Sequence, residues 1–236
     1  ENYAVWPFLP QHPTFAPIFE LLFDTPEFFI MFWNTVRMAF PQILGQIFVG
    51  APAAWAFSRL RFPCRKFLFG LYIILMLLPF QVTMVPNYLV LNGLHLLDTV
   101  WAVILPAVGW PFGVFLMKQF SETIPSELLE AAKIDGCSEL ITFVRIVIPM
   151  VKPGIAALAI FKFIEAWNDY FLQLIMLSSR SNLTLQIGIA TMQAEFATNY
   201  GVLMAGATFS AIPIVTVFVL FQKSFTQGIT MGAVKG

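Results

Sequence analysis

The chain has 236 residues, of which 58% are hydrophobic and 11% are charged, whereas charged residues make up about a quarter of an ordinary soluble domain. Its 13 basic and 13 acidic residues cancel, and we expect lipid rather than nucleic acid around it. This composition excludes an ordinary soluble domain and predicts a membrane protein.

Residues 1–30 do not read as a secretory signal, because they carry four acidic residues and no Lys or Arg. A signal peptide needs a basic start before a short apolar core. We therefore predict an extracytoplasmic N-terminal segment over residues 1–30.

Charge-free apolar runs follow, each long enough to cross a bilayer, which takes about 18 residues or more. They cover residues 38–57, 67–94, 99–117 and 196–222. A fifth apolar run, residues 153–177, contains Lys162, Glu165 and Asp169. The sequence thus predicts an all-α membrane protein, a polytopic helical bundle with five visible transmembrane spans.

Basic residues indicate the orientation of these spans, because Lys and Arg are retained on the cytoplasmic side of short loops. Ten of them lie in residues 59–66, 118–152 and 223–235. The alternate loops, residues 1–30, 92–98 and 178–195, contain only Arg180. We therefore predict a transmembrane domain over residues 31–223, with a cytoplasmic loop at 118–152, and a cytoplasmic C-terminal tail at 224–236.

The cytoplasmic loop carries a spaced pattern between residues 130 and 149: Glu-Ala-Ala, three residues, Gly, nine residues, Ile, one residue, an apolar residue and Pro. Pro125 suits the first turn of a helix, and Gly136 can adopt the left-handed conformation that ends one. Ser138 and Glu139 can begin a second helix. Pro149 would stop the segment before the fifth span. We predict two short helices joined at Gly136.

This pattern resembles the loop by which permease subunits of ATP-driven bacterial importers engage their ATPase. Further matches, including Leu78-Pro79, Val85-Pro86-x-Tyr88 and Trp167-Asn168, resemble the carbohydrate-uptake branch of these binding-protein-dependent ABC permeases, of which the maltose permease pair is the familiar example. The resemblance covers nearly the whole chain. It implies a role in ATPase coupling for Glu130, Ala131, Ala132, Asp135, Gly136, Ile146 and Pro149.

The resemblance also implies partners and a location. A second permease subunit, two ATPase subunits and an extracytoplasmic sugar-binding protein would assemble with this chain in a bacterial inner membrane. No Gly-x4-Gly-Lys-Ser/Thr loop is present, so ATP and Mg would bind to the ATPase partners, and we expect no cofactor, metal or catalytic residue in this chain. Family members have six spans, and we expect a further helix before Glu1.

The charged fifth run has two interpretations. Lys162, Glu165 and Asp169 fall at i, i+3 and i+7 and would share one helical face. In the first interpretation Glu165, Trp167, Asn168 and Asp169 line a substrate pathway, with Trp167 stacking on a sugar. In the second, Lys162 and Glu165 form a structural pair and Trp167 packs against a sister subunit. The second is favoured because unpaired buried charges are rarely tolerated.

An ion-driven secondary transporter is the alternative function for such a chain. Lys162, Glu165 and Asp169 would then form an ion or proton relay within the membrane. That alternative leaves the spaced cytoplasmic loop unexplained.

Overall fold

The computed structural model describes residues 14–195 and 200–233, and this part of the chain is built from helices and their connections. A short N-terminal helix, α1, continues into a π-helical turn, and a second π-helical turn, Phe143–Val147, follows α8. The helices are α1 Ala16–Phe19, α2 Glu27–Arg59, α3 Arg65–Leu77, α4 Phe80–Gly93, α5 Val100–Val108, α6 Pro111–Glu122, α7 Ser126–Ile134, α8 Glu139–Thr142, α9 Ile148–Met150, α10 Lys152–Asn168, α11 Phe171–Met176, α12 Leu185–Glu195 and α13 Tyr200–Ala233.

The central element is α2, which packs against α5, α6 and α10. It contains Pro41 and Pro52, and its buried face includes the amides Gln42 and Gln46. Phe40, Leu44 and Phe48 recur at helical spacing on an exposed face. Large exposed apolar side chains on a 33-residue helix are expected where the helix contacts lipid or another protein.

Among the described residues, three clusters of buried apolar side chains hold the bundle together. The first joins Trp55, Phe120 and Val147 near the loop between α6 and α10. The second surrounds Trp167 and Val202, and the third surrounds Val103 and Leu172. Each cluster contains residues from helices that are far apart in the sequence, so these contacts hold the separate helices in their relative positions.

In the described part of the chain, two helical stretches are long and apolar enough to cross a membrane, Val100–Glu122 and Tyr200–Gln222. The number rises to four when two bent pairs, Arg65–Leu77 with Phe80–Gly93 and Glu139–Met150 with Lys152–Asn168, each count as one span. Helix α2 is not among them, since Gln42 and Gln46 interrupt its apolar stretch. Length and composition thus give two to four spans within the described residues, against the five predicted.

Residues 67–94, predicted as one transmembrane span, form two helices with a break between them. The chain bends by 105° between α3 and α4. The break falls at Leu78 and Pro79, whose backbones are extended with ψ of 127° and 138°. Proline disfavours the helical conformation of the residue before it, so Leu78 leaves the helical conformation and α3 ends at Leu77.

The fifth run also differs from its prediction. Helix α10 ends at Asn168, and Asp169 adopts an extended backbone with ψ of 119° before α11 begins. Asp169 therefore does not continue the helical face that carries Lys162 and Glu165. Its carboxylate instead accepts a hydrogen bond from the Leu172 N–H at 3.3 Å, at the start of α11.

Candidate functional site

Gly136 forms the joint of the 125–149 segment, as the sequence predicted. Helix α7 ends at Ile134, and Gly136 has a left-handed backbone with φ of 76°. The N–H groups of Asp135 and Cys137 donate to the carbonyls of Ala131 and Ala132 at 2.9 Å each. These bonds satisfy carbonyls that the end of a helix would otherwise leave free.

The second short helix begins where the sequence placed it. Ser138 has an extended backbone and its hydroxyl accepts a hydrogen bond from the Ile141 N–H at 3.3 Å. Glu139 lies in the first turn, where its negative charge interacts favourably with the positive end of the helix dipole. An ion pair of 3.2 Å between Lys133 and Glu139 bridges the joint.

Pro149 does not stop the segment, in contrast to the prediction. It lies in the first turn of α9, where a missing backbone N–H is tolerated, and the chain breaks later, at Val151. The segment Glu139–Met150 and α10 then meet at a bend of 75°.

The predicted coupling residues divide by exposure. Glu130, Ala131, Asp135 and Gly136, together with Pro149, are exposed. Ile146 is half-buried, and Ala132 is buried. Of the two alanines, Ala131 alone is available to another protein, because Ala132 faces the interior of this chain.

The two most exposed apolar side chains of the segment were not predicted from the sequence. Ile134 is 87% exposed and Leu140 is 71% exposed, one on each side of the Gly136 joint. They follow no helical repeat, so periodicity could not have singled them out. The feature of the sequence that could have indicated their exposure is that they occur among charged residues of a loop.

The base of the segment is fixed to the bundle. Leu129 and Val147 belong to the apolar cluster around Trp55. The guanidinium of Arg59, at the end of α2, donates to the carbonyls of Ser121, Glu122 and Ile124, where the segment leaves α6. A displacement of the segment would therefore also move α2 and α6, to which it is bonded.

A cavity of about 710 Å³ lies between α4, the α5–α6 break and α10. This volume is in the range of small-molecule sites, about 300–1,000 Å³. Of the predicted pathway residues, Glu165 lines it, whereas Trp167, Asn168 and Asp169 do not. Polar and aromatic lining comes from Thr83, Asn87, Lys162 and Glu165 and from Phe80, Trp110 and Phe112.

Lys162 and Glu165 form an ion pair beside this cavity, as the favoured interpretation predicted. The Lys162 side chain is 0% exposed, whereas that of Glu165 is 43% exposed. The Lys162 ammonium also lies 5.2 Å from the centre of the Trp110 ring, in a cation–π contact. The cation is thus enclosed between a carboxylate and an aromatic ring.

Trp110 lies at the break between α5 and α6 and is held there by Gln46. The Gln46 amide accepts from the Trp110 N–H at 3.0 Å and donates to the Trp110 carbonyl at 3.1 Å. Gln46 is fully buried, and a Cβ at Gly113 would lie 2.2 Å from its Nε2. Pro111, at the start of α6, has no backbone N–H to donate. The Gln46 side chain therefore replaces hydrogen bonds that the interrupted helix lacks.

Trp167 and Asn168 have structural surroundings. Trp167 is 1% exposed, its indole N–H donates to the Ser210 carbonyl at 3.1 Å, and its ring packs edge-on against Phe32. It packs within this chain, so it is unavailable for sugar stacking and does not make the predicted contact with a sister subunit. Asn168 is exposed, and its amide bonds to the Ile164 carbonyl of its own helix at 2.8 Å.

Residues 178–185 form a second ordered connection. The Asp98 carboxylate accepts from the N–H groups of Ser178 and Ser179 at 2.9 Å each, and from the Ser179 hydroxyl. These hydrogen bonds hold the pKa of Asp98 well below its ordinary value. Asp98 itself has a left-handed backbone, with φ of 57°.

Helix α2 holds the same connection from another side. The Asn34 amide donates to the carbonyls of Ser181 at 2.7 Å and Leu183 at 2.9 Å. The Thr35 hydroxyl accepts from the buried Leu185 N–H at 2.9 Å. We call Asn34, Thr35 and Asp98 the clamp.

Proline-broken apolar helices around a partly polar cavity, with a segment anchored to two of them, define a helical membrane transport protein. A family model described as binding-protein-dependent transport system inner membrane component matches residues 46–231. The chain belongs to this family, and is therefore a transport subunit of an inner-membrane ABC importer, in which ATP hydrolysis lies in separate subunits.

Relatives and a solved structure agree with this membership. The chain is 36% identical over 205 residues to an arabinooligosaccharide transport system permease of Halalkalibacterium halodurans, covering 87% of this chain and 74% of the relative. It is 30% identical over 206 residues to a lactose transport system permease of Rhizobium radiobacter, covering 87% and 75%. The ion-driven alternative receives no support.

The fold also matches a crystal structure of a bacterial ABC transporter involved in the import of the acidic polysaccharide alginate. The TM-score is 0.83 at 24% identity, covering 92% of this chain and 81% of the other. At this identity the match establishes a shared fold.

Proposed function

We propose that this chain is a permease subunit that imports a sugar or oligosaccharide delivered by an extracytoplasmic binding protein. The names of the relatives support a carbohydrate substrate, since they are described as transporting arabinooligosaccharides and lactose. The cavity beside Glu165 supports a pathway through this subunit. ATP and Mg would bind to the ATPase partners.

The 125–149 segment couples ATP hydrolysis to transport in this proposal. The exposed apolar pair Ile134 and Leu140 at a rigid joint carries the argument, because such side chains among charged residues are suited to burial against another protein. Glu130 offers a carboxylate to a basic residue of the partner. Because Arg59 and Leu129 fix the segment to the bundle, movement of the ATPase would tilt α2 and α6.

In this proposal the chain crosses the membrane five times, through α2, the bent pair α3–α4, α5–α6, α10 with α11, and α13. The distribution of basic residues supports a cytoplasmic 118–152 loop and C-terminus, with residues 1–30 and 178–195 outside. Residues 1–13 and 234–236 of these segments lie outside the described residues. A second permease subunit would complete the pathway, as a heterodimer.

Co-purification tests the coupling proposal. We would tag this chain in native membranes, solubilise in mild detergent and identify co-purifying subunits by mass. Gly136→Val forces a β-branched residue into the left-handed region, whereas Gly70→Val, the matched control, has space at a glycine with ordinary φ. We expect the ATPase with wild type and Gly70→Val and its loss with Gly136→Val. Equal recovery in all three would overturn coupling through this joint.

A further inference from the structure

The charges beside the cavity are unequally accessible. The Lys162 ammonium has no exposed surface, while the Glu165 carboxylate is 43% exposed. Lys162 bonds to Oε2 of Glu165, and Oε1 accepts no hydrogen bond within the described part of the chain. A ligand in the cavity would therefore meet a carboxylate oxygen whose charge is already balanced by an enclosed cation.

The other lining groups are uncharged. Asn87 has no hydrogen-bond partner for its side-chain amide among the described residues, and Thr83 donates to the Phe80 carbonyl at 3.0 Å, which leaves its oxygen able to accept. Trp110 is half-buried and presents an aromatic surface to the same space. Donors and acceptors beside an aromatic ring match the hydroxyl groups and apolar ring face of a carbohydrate.

We propose that this cavity binds one ring of an uncharged sugar and rejects acidic sugars. The inference rests on the proposed function and specifies its substrate class. The sugar ring lies against Trp110, and its hydroxyls bond to Glu165 Oε1 and to Asn87. Gln46 is a positioning residue, since its two hydrogen bonds fix the backbone that carries Trp110.

Rejection of acidic sugars follows from which charge is enclosed. A uronate carboxylate would reach the accessible Glu165 carboxylate before the enclosed Lys162 ammonium, and like charges repel. The cation that would attract it is already shared between Glu165 and the Trp110 ring. The alginate transporter of similar fold is described as importing an acidic polysaccharide, so the shared fold alone does not set this preference.

Saturation-transfer NMR tests the inference. The transporter assembly, isolated through a tag on this chain and placed in nanodiscs, would be mixed with arabinotriose, lactose or trigalacturonate. We expect signals from at least one uncharged probe and none from trigalacturonate. Trp110→Ala should weaken the uncharged signal about tenfold, the loss expected on removing a buried aromatic contact. Trp101→Ala, an exposed tryptophan on α5 outside the cavity lining, should leave it unchanged.

Glu165→Gln gives a second, opposite test. It keeps the shape of the side chain and removes the balancing charge, so that the enclosed Lys162 cation should now admit trigalacturonate. The inference is overturned if wild type binds trigalacturonate as well as the uncharged probes, if no uncharged probe binds, or if Trp110→Ala binds like wild type. ATPase recovery in the same preparations reports on the proposed function separately.

Discussion

The 125–149 segment and the 178–185 connection are both polar stretches between apolar helices, yet they are held in opposite ways. Backbone groups of the 178–185 connection are hydrogen-bonded to the clamp residues, which come from α2 and from the α4–α5 connection. The 125–149 segment is fixed at its base and leaves Ile134 and Leu140 uncovered at its tip. The first satisfies its own polar groups, whereas the second presents apolar surface to another protein.

This difference separates stability from association. Removing a clamp bond should lower the stability of this chain, because a backbone group loses its hydrogen-bond partner. Changing the tip of the 125–149 segment should leave stability nearly unchanged, because exposed side chains contribute little to it. Variants in the two regions should therefore have non-overlapping effects.

The largest expected effect is at Ile134. Ile134→Asp would place a charge in the proposed ATPase contact, and burying an unpaired charge is strongly unfavourable. We expect ATPase affinity to fall more than about 100-fold, roughly 2.8 kcal/mol, with an unchanged Tm. Ile134→Met keeps the apolar surface and should bind normally. Co-purification and thermal unfolding in detergent measure both, and normal ATPase recovery with Ile134→Asp would remove Ile134 from the contact.

Asn34→Leu tests the clamp from α2. It removes two hydrogen bonds, to the Ser181 and Leu183 carbonyls, each contributing about 1 kcal/mol. We expect a loss of about 2 kcal/mol in stability, measured by thermal unfolding. Asn168→Leu is the matched control, because that exposed amide bonds only to its own helix. Similar destabilisation by both changes would contradict a special role for Asn34.

Thr35→Val should have a smaller effect. It leaves the buried Leu185 N–H without its acceptor, at a cost of about 1–2 kcal/mol, while nearly conserving volume. Thr35→Ser keeps the hydroxyl and should retain most of the wild-type stability. If Ser and Val variants unfold at the same temperature, the hydroxyl is not what holds Leu185.

The smallest expected effect is the pH dependence of Asp98. Its pKa in the folded protein lies below the ordinary value of 3.8, so its stabilising contribution is present above that pH and is lost as pH falls below it. Between about pH 6 and about pH 3, wild type should lose more Tm than Asp98→Asn, whose amide oxygen accepts the same N–H groups without titrating. Because Asp98 is solvent-accessible, the difference should be modest, and parallel pH profiles would count against it.

Several features of the candidate sites were predictable because they are local. The Gly136 joint follows from a glycine after a short helix, and Ser138 begins the next helix through its own side chain. The Lys162–Glu165 pair follows from their spacing on one helix. The exposure of the coupling residues was only partly predictable, since burial of Ala132 depends on how α7 sits against the bundle.

Other features required the tertiary structure. Trp167 looked available for a ligand, but its indole bonds to Ser210 on α13. Asp98 meets residues about eighty positions later, and Gln46 meets Trp110 across 64 positions. Such pairings leave no periodic trace in the sequence, so no local pattern could indicate them.

By itself, the sequence determined that the chain lies in a membrane, is helical and carries a jointed loop, because hydrophobic composition and backbone preferences act residue by residue. Only the tertiary structure decided which polar groups meet: Trp110 with Lys162 and Glu165 at the cavity, and Asp98 with residues 178–182. The physical reason is that hydrogen bonds and ion pairs require distances of a few ångströms, and those are set by the packing of helices distant in the chain.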